Sequence, residues 1–531
     1  MSLCPVLIAG EWRAAKNPVG SFAAEDPAQK KMLPETYPVS GAEDAEAALV
    51  AGSAAALELA KASPDVIARF LELCAEGIEA RANDLIRVAA SETGLPAEPR
   101  LKSVELPRTT NQLRQAAKGA RERSWCRATI DTKLNLRSRL APLGGPVAVL
   151  GPNNFPYAFN GVAGGDFAAA VAAGNPVIAK ANPGHPGTTR LLAEVAIEAL
   201  AGSGLPRATL QLIYHLPEEL GHVLVAHPLL GATAFTGSRR AGLALKESAD
   251  RAGKPIYLEM SSVNPVFFLP GALRERGPAL AAELSSSCSL GAGQFCTNPG
   301  IGAVVAGPES EVLIAELARA FAGGTPGVLL GRNVPKAIAR SLEVLVAHGA
   351  GILCGGKEVD GSGYRFESTL LRVSGDAFVA HPGPLQTEAF GPVHLVVVAR
   401  DAAQLVAIAA LFEGNLTGSI YAHSGTDDDA LYTELEPVLR PRVGRLLNDK
   451  MPTGVAVSAA MSHGGPYPAT GHPGFTSVGI PASLTRFARL ESYDAVRPAR
   501  LPAELRDANP TGSMWRLIDG VWSERDVVAA G

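Results

Sequence analysis

The chain has 531 residues, 47% of them apolar and 19% charged, so it can bury a sizeable core and is not a disordered protein. Its formal net charge is −4, which argues against a general polyanion binder, because nucleic-acid phosphates need clustered cations. At roughly 150 residues per domain, the length predicts two to four domains.

The cysteines and the N-terminus predict a soluble cytoplasmic protein. Six cysteines without a CxxC pair do not form the framework of a disulfide-stabilised domain. Residues 1–10 lack the basic region of a secretory signal, and no apolar run approaches ~18 residues. We therefore expect no membrane span and no nucleic-acid partner.

The N-terminal part of the chain is typical of packing helices. Capping-box spacing at Ser40 and Glu43 precedes an alanine-rich stretch that ends near residue 62. Two further helices are predicted over residues 64–81 and 82–92. Arginine and lysine then cluster over residues 114–139, where we expect a solvated surface.

From residue 146 onward, strands alternate with helices, which predicts an open α/β fold with a parallel sheet. The predicted strands are 147–150, 176–180, 209–214, 232–235, 256–259 and 266–269. The predicted helices are 161–173 and 188–201, with a short helix or loop over 222–227. A second α/β region extends over residues 261–451, and the last ~80 residues are turn-rich with one terminal strand near 484–493.

The loop GAGQFCTNPG, residues 291–300, surrounds Cys296 with glycines. Such a loop lets a substrate approach the backbone closely and exposes amides beside a sulfur that is nucleophilic as a thiolate. The alternative is that Cys296 is a small buried hydrophobe, which is the interpretation we favour for Cys288.

Two polar residues lie at the carboxyl ends of predicted strands. Asn154, in the loop GPNNFP, lies where ligands bind in open α/β sheets and could donate to an oxyanion, although an ordinary Asx-turn is the alternative. Glu259 ends an apolar strand and is either a general base or a strand-end residue that emerges into solvent.

The motifs for phosphate and metal binding are weak. The chain contains neither GxGxxG nor GxxxxGK[ST], but FTGSRRAG joins a strand to a helix whose first amides could receive a pyrophosphate. His222 and His227 are five residues apart and so do not share a helical face. We expect no metal site.

Six motifs occur in a specific order along the chain: GPNNFP, VIAK, FTGSRRAG, LEMSS, GQFC and TEAFGPV. Together they resemble the aldehyde dehydrogenase superfamily over nearly the whole chain. The segments MSSVNPVFFLPGAL, GAGQFCTNPG and HGGPYPAT are similar to the 2-oxoglutarate semialdehyde (2,5-dioxovalerate) dehydrogenases, a group that partly resembles NADP-dependent fatty aldehyde dehydrogenases. Met260-Ser261-Ser262 replaces the family's usual glycine pair, as in this subgroup.

The resemblance implies a role for each of these residues. Cys296 would be the nucleophile, Glu259 the general base, and Asn154 the oxyanion donor together with the Cys296 amide. The implied cofactor contacts are Lys180 at the adenosine ribose, Gly237 and Ser238 at the pyrophosphate, Glu388 at the nicotinamide ribose, and Phe390 near the nicotinamide ring.

The resemblance also implies an architecture. A Rossmann-type cofactor domain would comprise residues 1–120 and 141–259, followed by an α/β catalytic domain over 260–455. Bridging segments at 121–140 and 480–500 would build a homo-oligomer, either a dimer or a tetramer. Residues 456–479 and 501–531 would form loops and a tail.

The identity of the dinucleotide depends on Pro183, which stands where many NAD-using members carry a glutamate. A carboxylate there would bind the 2′-hydroxyl and repel a 2′-phosphate. Its absence favours NADP near Lys180, with His185 and Arg190 as further contacts, although NAD is possible.

The predicted substrate is a small aldehyde, most specifically 2,5-dioxopentanoate oxidised to 2-oxoglutarate. The resemblance places the substrate pocket at five residues: Phe155, Phe159, Phe295, Thr297 and Phe475. These aromatics leave a medium-chain or fatty aldehyde as the alternative, and a substrate carboxylate needs a cation that the sequence does not identify.

Two other functions are less consistent with the sequence. The presence of Glu259 argues against an enzyme that transfers the acyl group to coenzyme A. A catalytically silent dinucleotide-binding protein is disfavoured because five functional residues occur together: Cys296, Glu259, Asn154, Lys180 and Glu388.

Overall fold

A computed structural model describes residues 3–528. The strands are β1 (Val6–Ile8), β2 (Glu11–Arg13), β3 (Gly20–Asp26), β4 (Lys31–Val39), β5 (Thr129–Asp131), β6 (Leu136–Pro142), β7 (Val147–Leu150), β8 (Val177–Lys180), β9 (Leu210–Ile213), β10 (Ala232–Thr236), β11 (Ile256–Glu259), β12 (Val266–Phe268), β13 (Ile301–Val305), β14 (Gly351–Cys354), β15 (Thr369–Ser374), β16 (Val393–Ala399), β17 (Asn415–Tyr421), β18 (Val443–Asn448), β19 (Ala488–Asp494), β20 (Arg516–Ile518) and β21 (Val521–Ser523). The helices are α1 (Ala42–Leu59), α2 (Pro64–Ala80), α3 (Ala82–Thr93), α4 (Leu106–Glu122), α5 (Gly165–Ala172), α6 (Pro186–Ser203), α7 (Glu218–Ala226), α8 (Arg239–Arg251), α9 (Pro270–Ser289), α10 (Pro308–Gly323), α11 (Val334–Ala347), α12 (Gly375–Ala380), α13 (Pro382–Leu385), α14 (Ala402–Ala410) and α15 (Asp429–Leu439).

The first sheet has the strand order β11-β10-β7-β8-β9-β1-β2. Its five strands from β11 to β9 are parallel, and β1 and β2 extend the edge in antiparallel fashion. Strands such as β7 are short apolar runs buried on both faces, as expected where helices cover a parallel sheet. The predicted strands of this region are confirmed, and the carboxyl ends of β7, β10 and β11 meet at one edge.

The second sheet has the order β14-β15-β16-β13-β12-β17-β18 and lies in the second predicted α/β region. Only β14, among its described strands, runs antiparallel to its neighbour. Each of the two large sheets has its own cluster of buried apolar side chains. The two-part α/β prediction is therefore confirmed.

The third sheet, with the order β19-β6-β5-β20-β21, joins segments that are far apart in the chain. The predicted terminal strand is confirmed as β19, but it begins at Ala488, after a 3₁₀ segment over Ala482–Phe487. The prediction that residues 501–531 form only loops and a tail is wrong, because β20 pairs with β5 and β21 with β20. A further hairpin pairs β3 with β4.

The expectation of a solvated basic surface over 114–139 is wrong for three of its arginines. Arg123 and Arg139 form ion pairs with Glu504, and Arg137 pairs with Asp507. The arginine side chains are only 10–15% exposed. The C-terminal segment folds back over this basic run, which a local charge pattern does not reveal.

None of the helices within residues 3–528 is both long enough and apolar enough to cross a bilayer.

Candidate active site

The site lies at the carboxyl edge of the first sheet, where a C-terminal loop joins β11. Thr470 forms a β-bridge with Glu259, the last residue of that strand. The Met260 amide donates to the Ala469 carbonyl at 2.8 Å, and the Gly471 amide donates to Leu258 at 3.0 Å. Residues 456–479, expected to be a loop, therefore bind to the strand that carries the predicted base.

This C-terminal loop brings His463 between the predicted nucleophile and the predicted base. The Nε2 atom of His463 lies 3.3 Å from the Cys296 Sγ and 3.1 Å from the Glu259 Oε1. The Ser477 hydroxyl donates to the other carboxylate oxygen of Glu259 at 3.1 Å. Glu259 and His463 are 1% and 2% exposed, so these contacts are shielded from bulk water.

The pKa values of Cys296 and Glu259 are shifted in opposite directions. Burial raises the pKa of the Cys296 thiol well above its ordinary value, the Glu259 carboxylate raises it further, and the charge of Arg108 opposes both effects. Burial also acts to raise the pKa of Glu259, but the His463 imidazole and hydrogen bonds from His463, Ser477 and Cys296 bring that pKa below its ordinary value. The resting pair is therefore a thiol beside a carboxylate, and the thiol needs a base.

Asn154 lies on a loop that a buried carboxylate holds in place. The Oε1 atom of Glu105 accepts hydrogen bonds from the amides of Tyr157 and Ala158 at 2.8 and 2.9 Å. Arg100 pairs with Glu105 and donates to the Asn154 carbonyl at 2.8 Å. These bonds hold the backbone of Asn154 in place. Its side-chain Nδ2 donates to the Gln294 carbonyl at 2.9 Å, in the loop that contains Cys296.

Two cavities meet at Cys296, which lines both of them. The inner cavity has a volume of about 460 Å³. Its walls include the catalytic candidates Asn154 and Glu259 and five of the predicted cofactor contacts: Lys180, Gly237, Ser238, Glu388 and Phe390. The outer cavity, of about 470 Å³, includes Phe155, Phe159, Phe295, Thr297 and His463 in its walls.

The inner cavity suits a nucleotide. Its wall includes Gly237 and Ser238, which precede α8. A Cβ at Gly237 would lie 2.7 Å from the Phe235 ring, so this position has no room for a side chain. The Ser238 hydroxyl caps the helix by accepting from the Ala241 amide at 3.4 Å. A helix start of this kind favours a phosphate. Burial lowers the pKa of Lys180 to about 8, and no carboxylate within residues 3–528 pairs with its ammonium.

Glu388 is the acidic group of the inner cavity. Burial raises its pKa to about 7, while hydrogen bonds from the Ser261 hydroxyl and the Ser262 amide favour its charged form. Both serines belong to the segment that replaces the usual glycine pair. Of these two donors, the substitution supplies the Ser261 hydroxyl, since a glycine would offer the same main-chain amide as Ser262.

Three residues predicted at the site lie elsewhere. The buried ring of His185 contacts the Pro152 carbonyl at 2.9 Å and is not part of the inner cavity wall. Arg190 pairs with Glu35. Phe475 packs at 4.9 Å from the Arg486 guanidinium and is not part of the outer cavity wall.

Sequence reasoning missed His463 and two arginines of the outer cavity, Arg100 and Arg108. The motif HGGPYPAT contained the available signal for His463, since it begins with that histidine. The motif indicates the subgroup, but by itself it does not indicate a chemical role for His463.

Comparisons with known proteins agree with this geometry. The model of the aldehyde dehydrogenase family matches residues 12–436. The chain is 40% identical to alpha-ketoglutaric semialdehyde dehydrogenase 2 of Azospirillum brasilense, over 85% of this chain and 87% of that protein. It is 36% identical to alpha-ketoglutaric semialdehyde dehydrogenase of Acinetobacter baylyi, over 86% and 87%.

The fold is similar to that of lactaldehyde dehydrogenase from Escherichia coli, with a TM-score of 0.78 at 22% identity, over 93% of this chain and 99% of that one. The α/β architecture and the superfamily resemblance expected from the six motifs are thus confirmed. The chain belongs to the aldehyde dehydrogenase family and is an oxidoreductase that converts aldehydes to acids with a nicotinamide dinucleotide.

Proposed function

We propose that this enzyme oxidises 2,5-dioxopentanoate to 2-oxoglutarate, with NADP as its preferred cofactor and Cys296 as its nucleophile. The observation that carries the proposal is the position of Cys296 at the junction of the two cavities. A sulfur there can contact an aldehyde from the outer cavity and a cofactor in the inner one. The names of the two semialdehyde dehydrogenase relatives support the substrate.

The first step is removal of the thiol proton by His463, in the tautomer that carries its hydrogen on Nδ1 and leaves Nε2 free to accept. Its Nε2 is within reach of the Cys296 Sγ, and the resulting N–H can donate to the Glu259 carboxylate. That carboxylate stabilises the imidazolium, which offsets the burial that keeps the sulfur protonated. The thiolate then attacks the aldehyde carbon and forms a thiohemiacetal oxyanion.

The oxyanion receives hydrogen bonds from the Asn154 side-chain amide and the Cys296 main-chain amide. The Cys296 carbonyl accepts from Asn264 Nδ2 at 2.9 Å, which restrains the peptide unit that follows this amide. Each such donor typically contributes about 3 kcal/mol to the transition state. Collapse of the oxyanion expels the aldehyde hydrogen as hydride and leaves a thioester on Cys296.

Lys180, Gly237, Ser238, Glu388 and Phe390 are the residues that would hold the dinucleotide. When bound, its nicotinamide ring supplies the acceptor for the hydride. Preference for NADP is supported by the uncompensated Lys180 ammonium and by Pro183 at the position where a glutamate would repel a 2′-phosphate.

Release of the acid requires a water molecule to attack the thioester. Glu259 is the base for this step, because its carboxylate is held in its charged form beside the sulfur. Ser477 fixes one carboxylate oxygen, so the other remains directed toward Cys296 and His463. Hydrolysis returns the thiol and completes one turnover.

The test is a comparison of wild type, Cys296→Ala and Glu259→Gln with NADP and 2,5-dioxopentanoate. We expect no turnover and no acyl adduct for Cys296→Ala. For Glu259→Gln we expect a burst of reduced cofactor followed by a stall, with an acyl adduct on Cys296 in the mass spectrum. Cys354→Ala is the matched control, since that sulfur lies outside both cavities. Equal steady turnover in all variants contradicts the assignment.

We further propose a cytoplasmic homo-oligomer, a dimer or tetramer. All six cysteines are unpaired, which suits a reducing compartment. The edge strands of the third sheet expose large apolar side chains, namely Leu490, Val521 and Trp522. Light scattering after size exclusion measures the mass, and a monomer at micromolar concentration contradicts this part of the proposal.

A further inference from the structure

The outer cavity contains a cation with an unused donor. Arg108 lies in the first turn of α4 and is part of the cavity wall. Its Nε donates to Gln112 at 3.3 Å, but neither terminal nitrogen has a hydrogen-bond partner within residues 3–528, and of the two Nη2 is fully buried. A buried guanidinium without a carboxylate partner is costly unless a ligand compensates its charge.

The other two arginines near the cavities are already engaged. The terminal nitrogens of Arg100 contact Glu105 and the Asn154 carbonyl. Those of Arg445 donate to the carbonyls of Pro452 at 2.6 Å and Gly454 at 3.1 Å. Among the three, Arg108 is the one that can offer a terminal nitrogen to a ligand.

Arg108 lies close to the reacting sulfur. The Phe159 ring is 5.3 Å from its guanidinium carbon and 5.7 Å from the His463 ring, and that ring contacts Cys296. The charge of Arg108 also lowers the pKa of the Cys296 thiol. One aromatic side chain therefore separates the cation from the catalytic centre, a spacing suited to a short bifunctional molecule.

We propose that Arg108 binds the carboxylate of the substrate and thereby selects aldehydes that carry a carboxylate a few carbons from the carbonyl. The inference rests on the proposed aldehyde oxidation and deepens it by naming the group that recognises the acid end. A guanidinium binds a carboxylate through parallel hydrogen bonds, and the walls of Phe155 and Phe159 keep water from weakening them. An uncharged aldehyde leaves this cation uncompensated, so the enzyme discriminates against it.

The test measures kcat/KM for 5-oxopentanoate and for pentanal, which differ in the carboxylate, and takes their ratio. We expect Arg108→Met to lower this ratio by about a hundredfold, mainly through a higher KM for the acid. Arg108→Lys should restore part of it, because a charge remains without the bidentate geometry. Arg114→Met is the matched control, since Arg114 lies on the same helix but pairs with Glu79 outside the cavity.

A ratio within about threefold of wild type in Arg108→Met, or a wild type that already prefers pentanal, overturns the inference. Assay of 2,5-dioxopentanoate separates this result from failure of the proposed function. If the wild type oxidises 5-oxopentanoate but not 2,5-dioxopentanoate, the proposed substrate is wrong while a lost ratio in Arg108→Met still supports the role of Arg108. If 2,5-dioxopentanoate is oxidised but the ratio is unchanged in Arg108→Met, the function stands and Arg108 is not its carboxylate receptor.

Discussion

The imidazole of His463 lies within 3.3 Å of the Cys296 sulfur, although 167 residues separate the two in the chain. The same nitrogen is 3.1 Å from Glu259. A proton on Nε2 can therefore be shared between the group that attacks the aldehyde and the group that activates water. The His463 imidazole therefore contacts both the group that forms the thioester and the group that hydrolyses it.

Replacing His463 by Gln should slow formation of the thioester. Burial raises the pKa of Cys296, so without the imidazole few sulfurs are deprotonated at neutral pH. We expect the burst of reduced cofactor to slow by about 10²-fold or more, and to recover as the pH is raised. Rapid-mixing absorbance measurements across a pH series give this rate.

His472→Gln is the control for that experiment. His472 is exposed, packs against Tyr257 and lies outside both cavities. A burst in His463→Gln as fast as in this control would show that the thiol loses its proton by another route.

Replacing Pro183 by Glu should move the cofactor preference toward NAD. The new carboxylate lies in the turn that follows Lys180, where it repels a 2′-phosphate and accepts from a 2′-hydroxyl. We expect the ratio of kcat/KM for NADP to that for NAD to fall at least about tenfold, equivalent to ~1.4 kcal/mol. A wild type that prefers NAD by tenfold contradicts the assignment of NADP.

The preference for NADP should also decline above pH 8. Burial lowers the pKa of Lys180 to about 8, so its ammonium is present below that pH and is lost above it. Taking the ratio of kcat/KM for the two dinucleotides cancels the titration of groups that serve both. We expect this ratio to fall between about pH 7.5 and about pH 9 in the wild type, with the midpoint of the fall near the Lys180 pKa of about 8. It should stay flat in Lys180→Met, and a fall of the same size in that variant assigns the titration to another group.

Breaking the buried ion pair between Arg486 and Asp166 should destabilise the protein. The two side chains are 1% and 10% exposed, and their atoms lie 2.8 Å apart. Arg486→Met leaves a buried carboxylate without its partner, which costs about 3–5 kcal/mol of unfolding free energy. Urea denaturation followed by circular dichroism measures the loss.

Arg251→Met provides the surface comparison, because Arg251 is 72% exposed and pairs with Glu247. It should change the unfolding free energy by less than about 1 kcal/mol. Equal losses of unfolding free energy in the two variants would mean that the buried pair of Arg486 and Asp166 stabilises the protein no more than a surface pair does.

The site residues that could be placed at one cavity from the sequence are those at the ends of predicted strands. Asn154 lies in the loop after β7 and Glu259 is the last residue of β11. Parallel strands bring their carboxyl ends to one edge, so local pattern and topology place the two residues together. Cys296 stood out by its glycine-rich loop and by the order of the motifs.

His463 and Arg108 could not be located in this way. His463 reaches the site only because residues 456–479 bind to β11, a pairing without a periodic signal. Arg108 belongs to an amphipathic helix on which Arg114 and Arg121 face solvent. Periodicity separates the faces of such a helix but does not indicate which face borders a cavity formed by other segments.

The pairing of Thr470 with Glu259 has a consequence for how the enzyme matures. Synthesis proceeds from the N-terminus, so a nascent chain holds its sulfur and its carboxylate long before residues 463 and 477 leave the ribosome. Until then no imidazole lies beside the sulfur to take its proton. The arrangement needed for the first chemical step therefore forms only when translation is nearly complete.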